Sequence, residues 1–438
     1  PMKPRVAILL AVLAAFCFAG LESKVTEYDL ANGLDVIIYV DSSAPVVSTT
    51  VFYQVGAYDE PTGKTGISHM LEHMTFKHTD RYKPGQFARI VRAAGGEENG
   101  FTATYYTGFY ETFAKDRWEL SLELEAARMS SCRFEDDVFQ PERKVVTEEW
   151  RLGENRPTSK LWKVYEATAY IAHPLGVPVI GWKHDIDNYT CEAVADWYHL
   201  HYNPANAVLV IAGDVRPEEV KARVKKHFGR LKGKPVKRAD FYDLEPPQQS
   251  ERSIILHRNT QAPAMLIGYH VPGIRNKEFY TAEVLEAILV QGRTSRLYQA
   301  LVTRTGLATW VGGGDYTTRD PGLFTIYITP KSEKDIPEIS QVIEQELTKL
   351  KTELVTDHEF AKVQNQVLAQ DVFDQDDISD MAYFLARCQI TAGSWRFLEQ
   401  YPDQIRKVTK AQVQEFCRHY FKTDNRTTAL LLPKKEEK

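Results

Sequence analysis

The sequence has no excess of positive charge: 54 lysines and arginines stand against 59 aspartates and glutamates, a formal charge of −5. That excludes a nucleic-acid footprint, since holding a polyanion needs a basic surface. Cysteine is scarce, five in 438 residues, which rules out a disulfide scaffold. No stretch reaches the eighteen consecutive apolar residues of a membrane-spanning helix. With 43% hydrophobic and 26% charged residues the chain is globular rather than disordered or fibrous. Its 438 residues exceed one ordinary core and suit two or three domains.

An apolar run from Val6 to Ala19, fourteen residues long, follows Lys3 and Arg5. That is the length of a signal-peptide core and short for a bilayer span. Cys17 and Ala19 are small residues ahead of a cleavage after Ala19. Residues 1–20 are therefore expected to be an export signal, placing the chain in the periplasm if the source is bacterial. An oxidising compartment would permit bridges among Cys132, Cys191, Cys388 and Cys417, whose pairing sequence alone leaves open.

Proline, glycine and charge displace apolar periodicity over GKPVKRADFYDLEPPQQS, residues 233–250. This linker divides the chain into lobes at 21–232 and 251–438, each of ordinary domain size. The lobes echo each other. At a constant offset of 219, Thr190 meets Thr409, Val194 meets Val413, Trp197 meets Phe416, Tyr202 meets Phe421 and Asn206 meets Asn425. Each segment reads as a threonine cap, an amphipathic helix, a turn and an apolar strand, an order that argues for duplication. The expected fold is α+β: two homologous lobes, each a mostly antiparallel sheet with helices covering one face.

Chemistry concentrates in His69-Met70-Leu71-Glu72-His73. Four residues along a helix advance about 400°, so His69 and His73 share a face about 40° apart. Two imidazoles there can converge on one zinc ion, and Glu72 can reach a water beside it. Gly63 and Gly66 mark the helix start, Ser68 can cap it, and Ile67, Met70, Leu71 and Met74 supply apolar contacts.

HxxEH is the inverted zinc motif. With GISHMLEHMTFKHT, PGQFARIVRAAGGEENGFTATYYTGFYETF, QPERKVVTEEW, His173-PLGVPVIGW and Tyr202-NPANA, the chain resembles the pitrilysin/insulinase family of zinc metallopeptidases. The resemblance is strongest to its half-length branch, which includes bacterial processing peptidases and the mitochondrial processing peptidase. It covers essentially the whole chain after the export signal. It implies one Zn2+ per chain, held by His69, His73 and a glutamate about 76 residues past the second histidine, which is Glu149. Glu72 would be the general base of peptide hydrolysis, taking a proton from water and delivering it to the leaving amine. Glu142, seven residues before Glu149 and on the same helix face, would orient a zinc-binding histidine. Glu148 is expected at the surface, and His78 and His173 as structural residues. Asn99-Gly100-Phe101-Thr102 resembles the edge strand onto which the family adds an extended peptide, so Asn99 is a candidate for bonding the substrate backbone.

One part of the pattern is missing. Complete sites in the family include an Arg–Tyr pair flanking a Gly-Leu in the second lobe. Around Gly306-Leu307 the arginine place holds Val302 and the tyrosine place Thr309, while Arg304 is two residues out of register and Trp310 has no ionisable donor. Half-length members close a chamber from two chains. The expected partner is therefore a homologous chain supplying the Arg–Tyr pair, in a heterodimer, with a homodimer as the alternative. Gly312 to Gly314 nearby are expected to form a turn. A non-catalytic peptide-binding or scaffold subunit of the same fold is the rival function, disfavoured by the intact His69, Glu72, His73 and Glu149. Substrates are expected to be peptides or unfolded segments, with a lean towards basic ones from the acidic balance.

Overall fold

The computed structural model describes residues 20–315 and 318–434. The expected export signal, all but Gly20, lies outside the described residues.

Runs rich in β-branched and aromatic residues, such as VVSTTVFY and AVLVIAG, form strands. Six of them build the first sheet: β1 (Val25–Asp29), β2 (Asp35–Val40), β3 (Val46–Tyr53), β4 (Glu97–Thr102), β5 (Thr107–Ala114) and β6 (Ala207–Gly213), in the order β1-β2-β6-β3-β5-β4. The second sheet holds β7 (Arg252–Arg258), β8 (Ala264–Val271), β9 (Ala308–Asp315), β10 (Gly322–Pro330) and β11 (Arg426–Pro433), in the order β7-β11-β8-β10-β9. One parallel pairing occurs in each, β2 with β6 and β7 with β11, and the other pairings are antiparallel. The second sheet is thus the first without its outermost strand β1. The glycines at 312–314, expected in a turn, lie instead inside β9.

Fifteen helices accompany them among the described residues. The first lobe carries α1 (Ile67–Thr75), α2 (Gln86–Ala93), α3 (Glu119–Ser131), α4 (Asp136–Asn155), α5 (Pro157–Ala169), α6 (Lys183–Asn188), α7 (Cys191–His201) and α8 (Pro217–Phe228). The second carries α9 (Phe279–Leu289), α10 (Arg296–Tyr298), α11 (Ile336–Thr352), α12 (Asp357–Asp374), α13 (Ile378–Thr391), α14 (Arg396–Lys407) and α15 (Lys410–Tyr420). The repeat at offset 219 holds residue by residue. Thr190 and Thr409 each accept a backbone N–H to cap α7 and α15. Asn206 then donates to the carbonyl of His201, and Asn425 to that of Tyr420, before β6 and β11 begin.

Strand alternation sends alternate residues to opposite faces of each sheet. In the first, Val36, Ile38, Val51, Leu209 and Ile211 face Met70, Leu71, Val146 and Val194 of the lobe's own helices. Ile37, Phe52, Val208 and Val210 face the other way, against Met381, Ala382 and Leu385 of α13, a second-lobe helix. The second lobe receives the reverse: Leu161, Tyr165 and Ala169 of α5 pack on Leu266, Ala429 and Leu431. Each sheet thus has its own helices on one face, as expected, and a helix lent by the other lobe on the second. Each fully buried aliphatic side chain in these layers contributes about 1.5–3 kcal/mol, so the exchange ties the lobes into one body.

Candidate active site

The first turn of α1 is set by two residues outside it. Gly66 caps the helix at φ +84°, and a Cβ there would meet the Ile180 carbonyl oxygen at 2.3 Å. Glu60 supplies the acceptors: its two carboxyl oxygens take the N–H of Gly66 at 2.6 Å and of Ser68 at 2.8 Å, bonds that only partly offset the burial that pushes its pKa up to about 8. Ser68, expected to cap, lies inside the helix, and its hydroxyl accepts from the Trp197 indole of α7 at 3.1 Å.

On the exposed side of α1 the His69 and His73 rings stand 4.7 Å apart, edge to face. Glu149 of α4 completes a cluster in which one donor atom from each residue lies within 4.8 Å of the others. Its Oε2 is 3.8 Å from His69 Nε2 and 3.4 Å from His73 Nε2. Glu149 is 41% exposed against 17% and 15% for the two imidazoles, so the cluster opens to solvent on the α4 side. His73 Nδ1 is engaged by Glu142 Oε1 at 2.9 Å, and Lys77 Nζ reaches the other Glu142 oxygen at 2.7 Å. Burial raises the cost of a charge on Glu142, yet the His73 and Lys77 contacts hold its carboxyl below the usual range. Burial, then the neighbouring His73, push His69 down to about 3, so it is a neutral imidazole. Two imidazoles, one oriented through its far nitrogen, and a carboxylate are the donor set of a catalytic zinc site with one position left open. The set fits that ion.

Glu72 leaves α1 in a different direction. It is 8% exposed, and its Oε2 accepts from Thr102 Oγ1 of β4 at 2.7 Å. Burial raises its pKa, and the Thr102 hydroxyl works against the rise. Asn99, three residues earlier on β4, is exposed, its Oδ1 accepting from the Gly100 N–H. With period-two alternation its side chain is on the face opposite Thr102. Beneath α1 lies the fully buried Arg128, which donates to Glu125 at 2.7 Å and to the Thr75 carbonyl at 3.3 Å, while Glu111 stands 3.6 Å away. Its guanidinium lies 4.4, 4.4 and 4.2 Å from the rings of Phe76, Phe87 and Phe109. A cation at the carbonyl end of α1 suits the helix dipole.

The other residues singled out in the sequence stand apart. Glu148 pairs with Arg151, His78 with Glu135 at 3.1 Å, and His173 is buried 3.9 Å from Asp320. Cys132, Cys191, Cys388 and Cys417 are free thiols. At the second-lobe place lacking the Arg–Tyr pair, Val302 packs on the core, Thr309 donates to a strand carbonyl, and Arg304 turns to Glu346 at 3.9 Å. Sequence reasoning missed Glu60, Lys77, Thr102 as the partner of Glu72, and Arg128. Only Lys77, four residues past His73, carried a spacing signal.

Known proteins resemble the chain over nearly its whole length. Residues 36–182 match the family model described as insulinase, peptidase family M16, and residues 188–367 match that of the peptidase M16 inactive domain. The zinc protease PqqE of Helicobacter pylori is 31% identical over 97% of each chain, and the uncharacterised zinc protease YmxG of Bacillus subtilis is 23% identical over 93% of this chain and 98% of its own. The crystal structure of a protease from Helicobacter pylori superposes with a TM-score of 0.88 at 30% identity, covering 94% of this chain and all of that one. The periplasmic protease PqqL of Escherichia coli shares the fold, with a TM-score of 0.78 at 18% identity, over 93% of this chain and 47% of its own. No described helix is long and apolar enough to cross a membrane. With a relative this similar end to end, the chain belongs to peptidase family M16.

Proposed function

We propose that the chain is a zinc-dependent endopeptidase and the zinc-bearing half of a two-chain chamber that hydrolyses peptides or unfolded segments. The observation that carries this is the convergence of His69, His73 and Glu149 within 4.8 Å, beside a Glu72 carboxylate held on an edge strand. When bound there, zinc supplies Lewis-acid polarisation of the scissile carbonyl and lowers the pKa of water. The protein's own groups do the rest. Glu142, fixed by Lys77, keeps the proton of His73 on Nδ1 and so leaves Nε2 free as a donor. Glu72 takes the proton of the attacking water and returns it to the nitrogen of the leaving amine. The free edge of β4 takes an extended peptide by backbone hydrogen bonds, with Asn99 beside it.

The zinc lobe spans 21–232 and the partner lobe 251–438, joined through 233–250. Val302 and Thr309 offer no charged group to orient substrate or stabilise a developing oxyanion. A homologous chain contributing an Arg–Tyr pair would supply them. The apolar Val6–Ala19 run and the periplasmic description of PqqL support export.

The test is cleavage of a quenched mixed-peptide library by the purified chain, with Glu72→Gln as the blank. Zinc-dependent cleavage that the variant lacks is expected, from the chain alone or once its partner is added. Cleavage by the chain alone sinks the heterodimer. A zinc-loaded, folded chain that stays silent with every homologous partner sinks the peptidase reading and leaves a peptide-binding subunit.

A further inference from the structure

Thr102 sits where two requirements meet. It is the last residue of β4, which pairs with β5 on one side and, among the described residues, with no strand on the other. The two faces of this strand are anchored differently. Phe101 packs against Phe52 at 5.5 Å and against Tyr383 of the lent helix α13 at 5.7 Å. Gly100 faces the other way, so close to α1 that a Cβ would meet the Phe76 ring at 2.8 Å. Thr102 shares that second face, and its hydroxyl closes on Glu72 at 2.7 Å. The strand end is therefore clamped from both sides at the residue that touches the carboxylate.

We infer that Thr102 is a positioning residue for Glu72: its hydroxyl fixes Oε2 and leaves Oε1 free for proton transfer, so the strand that docks the substrate also sets the aim of the base. This deepens the peptidase reading above and rests on it. A carboxylate with both oxygens free rotates about its terminal bond, which has only a broad, two-fold preference. Misplacing a proton acceptor by about 1 Å costs on the order of a hundredfold in rate.

Thr102→Val keeps the β-branched shape and the strand preference while removing the hydroxyl; Thr102→Ser keeps the hydroxyl. The expected result is a kcat lowered about tenfold to a hundredfold in the valine variant, KM within about twofold, and most activity retained in the serine variant, as loss of a hydrogen bond to a charged group predicts. A second readout needs neither zinc nor turnover. In denaturant unfolding of the zinc-free chain, Thr102→Val should change the unfolding constant about tenfold more in the wild type than in a Glu72→Leu background. Equal losses in the valine and serine variants, a fall carried by KM, or no coupling to Glu72 would each overturn the role. If the wild type cleaves and Thr102→Val is undiminished, the role of Thr102 fails alone; if the wild type cleaves nothing with any partner, the peptidase reading fails and takes this role with it.

Discussion

Two clefts of the molecule share one construction and differ in chemistry. In the first lobe α1 packs against α7, α4 and β4; in the second, α9 packs against α15, α12 and β9, their counterparts in the duplication. The first cleft holds His69, Glu72, His73 and Glu149. The second is a cavity of about 180 Å³ whose lining includes Glu283 and Glu286 of α9, Asp371 and Asp374 of α12, and Arg387 of the lent helix α13. It has no histidine, and His69, His73 and Glu149 are the one group of three among the described residues close enough to share a metal. The duplicated scaffold thus supplies a helix, a facing helix and an edge strand, and the proposed chemistry rests on a handful of side chains placed on one copy.

The comparison is broken most directly by exchanging acids for amides in both clefts. Glu72→Gln is expected to lower kcat by about three orders of magnitude with zinc stoichiometry unchanged, since the role proposed for this carboxylate is that of base and not of ligand. Glu283→Gln, at the Tyr401 hydroxyl 2.7 Å away, should leave kcat within about twofold. Steady-state kinetics with metal analysis decide it. A loss of turnover in the second variant would mean that both clefts take part.

A smaller effect sharpens why one cleft can hold a metal. Glu142→Gln keeps the shape but loses the charge that Lys77 and His73 both contact. Zinc affinity, measured by competition with a chelator, should fall about tenfold to a hundredfold, the usual cost of an orienting carboxylate. An unchanged affinity would show that packing of α1 alone aims His73.

Local patterns were legible in the sequence, and long-range pairings were not. The repeat of α7 and α15 followed from caps and periodicity, which act within a dozen residues. His69 and His73 followed from helical geometry, and Glu149 and Glu142 from family spacing. The exchange of α5 and α13 left no trace, because amphipathic spacing says that a face is buried but not which sheet buries it. Glu60 as the cap of α1, and Thr102 as the partner of Glu72, depend on where separate segments meet. Arg128 reads as an ordinary surface residue at the end of α3; only its two buried glutamates and three rings explain a fully buried cation.

The subtlest contrast between the clefts is in stability against pH. Burial pushes Asp371 up to about 6, only partly offset by the Gln375 amide that donates to it at 2.9 Å. An unfolded aspartate titrates near 4, so between about pH 4 and 6 the folded chain holds this proton more tightly than the unfolded one. Its contribution is present below that window and is lost as pH rises through it. Asp371→Asn keeps the acceptor for Gln375 and removes the titration. Relative to wild type the variant should therefore gain stability between pH 4 and 7, by about 1 kcal/mol once partial exposure to solvent is allowed for. Denaturant unfolding of both proteins at the two pH values measures the difference directly, with the other carboxylates cancelling between them. Parallel pH profiles would mean that the second cleft is wet enough to accommodate its charge, and that the contrast with the first cleft lies in its side chains alone and not in a drier interior.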